Sequence, residues 1–264
     1  MKSVSERMPL LFIGHGSPMN AIEDSIFTRG IAEVAVGIPR PKAILCISAH
    51  WETRGSFVTA ASQPQTIHDF GGFPRALYEV TYPAPGSIEL AQRVQGLLRS
   101  ASVSLDEDRG LDHGCWAVLK YLFPKADVPV VQLSLDYTQS ASWHYTLAKE
   151  LAPLREEGVL IVASGNLIHN LRALDWNTLY QPDSAFDWAE KVHREVMEHI
   201  KNGTHQPLLD YTKLGREYHL AIPSPDHYLP LLYILALQTP EDELTIFNES
   251  IVGGALDMTS LLIN

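Results

Sequence analysis

Three apolar runs, each leading to a histidine, constrain this chain more than any other feature. Leu10-Leu11-Phe12-Ile13 breaks into Gly14-His15-Gly16-Ser17-Pro18, and Ala43-Ile44-Leu45-Cys46-Ile47-Ser48 runs into Ala49-His50-Trp51. Val159-Leu160-Ile161-Val162-Ala163-Ser164 runs into Gly165-Asn166-Leu167-Ile168-His169-Asn170. Short apolar runs bounded by turn residues fit strands buried on both faces, and helical patterns lie between them. The expected fold class is therefore α/β: a single domain over residues 1–264 with a mostly parallel central sheet flanked by helices. Ligands bind such sheets at the carboxyl ends of the strands, where each of these histidines is predicted to fall. A metal site at that end of the sheet is the natural expectation.

The bulk properties narrow the function classes. A net charge of -11, from 20 basic against 31 acidic residues, argues against a nucleic-acid partner and against an anionic membrane surface. No apolar stretch reaches the ~18 residues of a membrane span. The amino terminus, Met1 to Arg7, lacks the apolar core of a signal peptide, so a cytoplasmic location is expected. Only two cysteines are present. Cys46 reads as a small apolar filler of its strand, and Cys115, close after His113, lacks the paired spacing of cysteine-built zinc sites. With no repeat, no linker and no conspicuous apolar surface helix, a monomer or weak homo-oligomer is expected.

Elsewhere the periodicity predicts helices over 20–36, 87–99 with Ser87 as N-cap, 115–123, 143–156 and 187–201. It predicts strands over 57–60, 128–135, 244–247 and 258–263. The loop Ile67-His68-Asp69-Phe70-Gly71-Gly72-Phe73-Pro74, with Tyr82-Pro83-Ala84-Pro85-Gly86 beyond it, is too long for a plain connection and reads as a lid or binding wall. Ser224-Pro225-Asp226-His227 reads as a helix start that places His227 in the first turn. His193 and His199 fall off the apolar stripe of Trp188, Val192, Val196 and Ile200 and read as surface residues. His205 and His219 are expected in polar loops and likewise read as surface residues, and His144 opens a helix without a special role.

Polar strand tips would be served as well by asparagine or serine, whereas neutral imidazole is the commonest ligand for zinc, iron and nickel. Five phrases then stand out in order: Gly14-His15-Gly16-Ser17-Pro18-Met19, Ser48-Ala49-His50-Trp51, the Ile67–Pro74 loop, Gly165-Asn166-Leu167-Ile168-His169-Asn170-Leu171 and Pro225-Asp226-His227-Tyr228-Leu229-Pro230. Together, and across essentially the whole chain, they resemble the class III extradiol ring-cleavage dioxygenases, in particular their DOPA 4,5-dioxygenase branch. The resemblance implies one divalent metal ion per chain, zinc or Fe(II), on His15, His50 and His227. It makes His169 an acid/base histidine that in some relatives also approaches the metal, and it places His113 and the His68 loop on the substrate side, with His113 a catalytic candidate. The implied substrates are a catechol such as DOPA and dioxygen.

One departure from the wider superfamily bears on the metal. Where other members complete a two-histidine, one-carboxylate set on iron(II), this chain has His227, and three imidazoles also suit zinc with an open fourth position. Asp226 is expected to point in a different direction. A zinc hydrolase is therefore an alternative, although no H-E-x-x-H phrase supports a peptidase version. A non-catalytic metal-binding protein on the same fold is another. Phe70 and Phe73 suit a flat ring, and Arg75, Arg109 and Arg172 are candidate carboxylate partners, with an ordinary surface role the commoner outcome for each.

Overall fold

The computed structural model describes residues 7–179 and 181–264; the reading of residues 1–6 for a leader lies outside the described residues. β1 (Leu10–Gly14) leads through a 3-10 turn to α1 (Ile26–Ala35), and β2 (Ala43–Thr53) and β3 (Ser56–Thr59) follow. After the long loop come α2 (Arg75–Tyr78), α3 (Ile88–Leu97), β4 (Val103–Asp106), α4 (His113–Leu122), β5 (Val130–Asp136), α5 (Ala141–Ala148), α6 (Pro153–Glu156) and β6 (Val159–Gly165). The remainder holds α7 (Asp187–Lys201), α8 (Gln206–Leu209), α9 (Arg216–Ala221), α10 (Leu229–Leu237), β7 (Leu244–Phe247), β8 (Ile251–Val252), β9 (Leu256–Asp257) and β10 (Ser260–Ile263).

Eight strands form one sheet in the order β4-β3-β5-β2-β6-β1-β10-β7. β5, β2, β6 and β1 are parallel, while β10 and β7 close one edge antiparallel. The expected mostly parallel α/β sheet is what forms. Successive side chains of a strand point to opposite faces, so each apolar run feeds two cores. Leu10, Phe12, Leu45, Ile47 and Ile161 pack with α3, α5, α7 and α10, whereas Leu11, Ile13, Ile44, Cys46 and Leu160 pack with α1 and α4. α10 is apolar nearly all round because it lies inside, against α5 and β6.

Several boundaries differ from the periodicity, each for a local reason. The helix expected over 20–36 starts afresh at Ile26, where Ser25 and Thr28 form a reciprocal capping box. The helix expected over 143–156 breaks before Pro153, which suits only a first turn. Ser87 does cap α3, its Oγ accepting from Leu90 N at 3.1 Å. β4 was not anticipated, having only Val103 and Leu105 as apolar residues on a sheet edge. Arg155, wholly buried, donates to Met8 O (2.8 Å), Leu237 O (3.1 Å) and the Asp242 carboxylate (2.9 Å), tying the entry to β1, the end of α10 and the approach to β7. Among the described residues no helix is long and apolar enough to cross a membrane.

Candidate metal centre

The strand register brings the histidine phrases to one level. Gly14 pairs with Gly165 and Ser48 with Ser164, so β1 and β6 end beside the Ser48 level of β2, which runs on to Thr53. His15 follows at once, its N donating to Gly165 O at 3.1 Å. The His227 turn lies directly on the end of β6: Asn166 N donates to His227 O at 2.8 Å, and a Cβ on Gly165 would sit 2.2 Å from that oxygen. Only a residue without a side chain allows so close an approach.

Two placements correct the expectation. His50 is not beyond the tip of β2 but within it, in the stretch between Ile47 and Glu52 where the register against β5 shifts. Such an irregularity re-aims a side chain. His227 is not in the first turn of α10: Pro225 O accepts from Tyr228 N and Leu229 N, closing a separate turn, and it is Pro230 that occupies the helix start.

His15, His50 and His227 each offer a ring nitrogen, all lying within 4.8 Å of one another. His15 Nε2 and His50 Nε2 are 2.9 Å apart. His15 Nδ1 is bonded to Ser164 Oγ at 3.0 Å, and His227 Nδ1 donates to Asp226 Oδ2. Their Nε2 atoms are left for the shared space, and His227 Nε2 is buried without any partner. An orphaned buried nitrogen is unfavourable by about 1–3 kcal/mol, and a cation is the group that three converging lone pairs would satisfy. Burial, reinforced by the neighbouring imidazoles, holds His15 well below the ordinary histidine range and pushes His50 down to about 3. Burial likewise brings His227 to about 4 against the opposing pull of Asp226. All three rings are thus neutral at pH 7, the state a metal requires.

Asp226 does not point away, as its neighbour position suggested. In a turn, unlike a helix where consecutive side chains diverge, it folds onto the His227 ring. Burial opposes its charge, yet the His227 hydrogen bond holds the carboxyl well below the usual range.

The remaining candidates surround this triad. His169, four residues past β6 and bridged to Leu256, stacks on His227 with ring centroids 3.5 Å apart and planes 4° apart. It falls outside the converging triad and groups instead with Asp226 and His227; burial lowers its pKa to about 4. His113 opens α4 with its ring centroid 3.9 Å from that of His50. Asp69 holds it twice, Oδ1 accepting from His113 N and Oδ2 meeting Nδ1, both at 2.9 Å. His68 itself turns into its own loop, donating to Val80 O at 2.9 Å among Phe70, Tyr78 and Trp116. Arg109 is half-buried, with Nη2 3.4 Å from His50 O and its guanidinium over Trp51. Arg75 and Arg172 are exposed, Arg75 paired with Glu79.

Asp69, Asp112 and Ser164 were not singled out from the sequence. Asp112 caps α4 and accepts from Ser48 Oγ (2.6 Å) and Gln132 Nε2 (2.8 Å), locking β2, α4 and β5 beside His50. Of the aspartates that adjoin a histidine in the chain, only Asp226 bonds the ring of its own neighbour, so adjacency carried no signal for Asp69, which grips His113, or for Asp112, which accepts from Ser48 and Gln132.

Fold and site together define an α/β protein with a histidine-built candidate metal centre at the carboxyl ends of its parallel strands. Residues 9–251 match the family described as the catalytic LigB subunit of aromatic ring-opening dioxygenase, and the chain belongs to that family. It is 47% identical over 264 residues, 98% of this chain and 96% of the relative, to a 4,5-DOPA dioxygenase extradiol of Escherichia coli (strain K12). A protein of the same description from Beta vulgaris is 38% identical over 255 residues, 94% of each chain. A crystal structure of an uncharacterized protein from Escherichia coli K12 matches with a TM-score of 0.84 at 42% identity, covering 98% of this chain and 100% of that one. The chain is thus a ring-cleaving, metal-dependent dioxygenase, and neither the hydrolase nor the non-catalytic alternative is favoured.

Proposed function

We propose that this protein opens the ring of a catechol such as DOPA beside its two hydroxyls with dioxygen, using a divalent ion on His15, His50 and His227. The observation that carries the assignment of ligands is His227 Nε2, buried and partnerless in a space that His15 and His50 also face. Bound there, iron(II) would supply the one-electron chemistry that lets dioxygen react with a catecholate, which zinc with its filled d shell cannot.

The chain's own groups do the rest. His169, neutral at pH 7 because burial brings it to about 4, accepts a proton from a catechol hydroxyl and returns it to the opened product. We read it as that acid/base group and not as a fourth ligand. His113, fixed by Asp69, stands beside His50 to orient the second hydroxyl, and Phe70, in edge contact with His113, walls the ring from water. The sequence argument for a cytoplasmic monomer or weak homo-oligomer accompanies this reading.

The test is anaerobic reconstitution of metal-free protein with iron(II) or zinc, followed by DOPA and air. The iron(II) protein is expected to consume oxygen and form a yellow ring-opened product. Equal turnover with zinc alone would overturn the reading. His169→Ala should keep the ion and lose about 10²–10⁴-fold in turnover; an emptied site would make His169 a ligand.

A further inference from the structure

Asp257 is a fully buried carboxylate outside the histidine cluster. Its main chain is sewn to the segment that carries His169. Asp257 N donates to Ile168 O at 3.0 Å, Asn166 Nδ2 donates to Asp257 O at 2.7 Å, and Asn170 N donates to Ala255 O at 3.1 Å. Leu256 faces His169 across an antiparallel bridge. The residues that follow brace the His15 phrase: Gly14 N donates to Ser260 Oγ at 3.0 Å, and a Cβ on Gly14 or Gly16 would fall 2.6 Å from Met258. Residues 255–260 therefore back two of the site's histidines.

A buried carboxylate must be compensated or it destabilises what it is built into. Among the described residues the Asp257 side chain meets two donors, Thr259 N and His193 Nδ1, each at 2.8 Å. His193 comes from α7, and its Nε2 reaches Glu249 Oε1 at 3.3 Å, so the ring lies between two carboxylates. The sequence reading of His193 as a surface residue is corrected here. Its position beside the apolar stripe is as expected, but the side chain is only 17% exposed and is turned inward onto a buried charge. Burial works against a charge on this ring, and the Asp257 and Glu249 bonds outweigh it, placing the pKa above the ordinary value.

We propose that His193 is a positioning residue for His169, its imidazolium holding Asp257 and, through it, the 255–260 segment against the loop that presents His169. The proposal rests on His169 being the acid/base group, and it needs no contact between His193 and substrate.

Two variants and two readouts test it: His193→Ala, and the uncharged pair His193→Gln with Asp257→Asn. In metal-free protein, His193→Ala should shift the ring resonances of His169, and with them those of His227 stacked on it, in an NMR spectrum and leave those of His50 in place. In iron(II)-loaded protein it should retain one ion per chain and a KM within about threefold of the parent, while kcat falls about tenfold or more. The uncharged pair, which has no buried charge to compensate, should return kcat to within about threefold. An unchanged kcat and unmoved His169 resonances in His193→Ala would overturn the proposal. So would a well-folded uncharged pair that stays as impaired as the alanine variant, and should His193→Ala fail to fold, the pair alone decides. If the acid/base reading is itself wrong, His169→Ala either turns over like the parent or loses its ion, results distinct from all of these.

Discussion

His227 turns Nε2 toward the shared space because Asp226 occupies Nδ1, and the same carboxylate makes the ring a stronger donor to a cation. Asp226→Asn leaves a group of the same shape without the charge. We expect metal affinity to fall about 10–100-fold, measured by competition with a chromophoric chelator, with little change in folding. Unaltered affinity would reduce Asp226 to a bystander. The pairing of His15 with the neutral Ser164 hydroxyl shows that the three rings are not equivalent. The ring tied to a carboxylate is the one whose substitution partners matter most, since hydrogen bonds to charged groups are the strong ones.

At the scale of elements, the site depends on strand ends that are bare enough for another segment to rest on them. Gly165→Ala would place a Cβ 2.2 Å from His227 O, so the whole Pro225–Tyr228 turn must lift off β6. A loss of about 1–3 kcal/mol is expected from such overpacking, read as a lower melting temperature together with weakened metal binding. Gly96→Ala is the control: it lies in α3 with no atom within 4 Å of the added Cβ, and should stabilise by up to about 1 kcal/mol without touching the site. The same contrast explains what could be read in advance. The apolar runs of β1, β2, β5 and β6 announce buried strands by composition alone, and with them the level at which His15 and His169 leave the sheet. The register shift at His50, the turn that replaces the expected first turn of α10, and the grips of Asp69 on His113 and Asp257 on His193 are absent from any local pattern. Each joins residues remote in the chain, and is set by tertiary hydrogen bonding that periodicity does not encode.

Across the whole molecule, buried neutral imidazoles make the fold acid-sensitive. His50 titrates at about 3, His144, His169 and His227 at about 4, and His15 is also lowered, all chiefly by burial. In the unfolded chain each would titrate near ~6.5. Between those limits the unfolded state binds more protons, so stability rises with pH: it is complete above about 6.5 and drains away as pH falls toward 4. His193 has the opposite sign, its raised pKa contributing below about 6.5 and fading as pH climbs through the folded value. The melting temperature of metal-free protein should accordingly fall steadily from pH 7 to pH 4.5; a flat profile would contradict the assignment of neutral rings. Arg155 carries a different consequence. Its guanidinium clasps Met8, Leu237 and Asp242 at once, so the antiparallel margin of the sheet cannot peel back without stranding a charge in the interior. Amide protons along β1 and β10 should then exchange with solvent only on global unfolding, at rates matching the sheet centre instead of those of a fraying border.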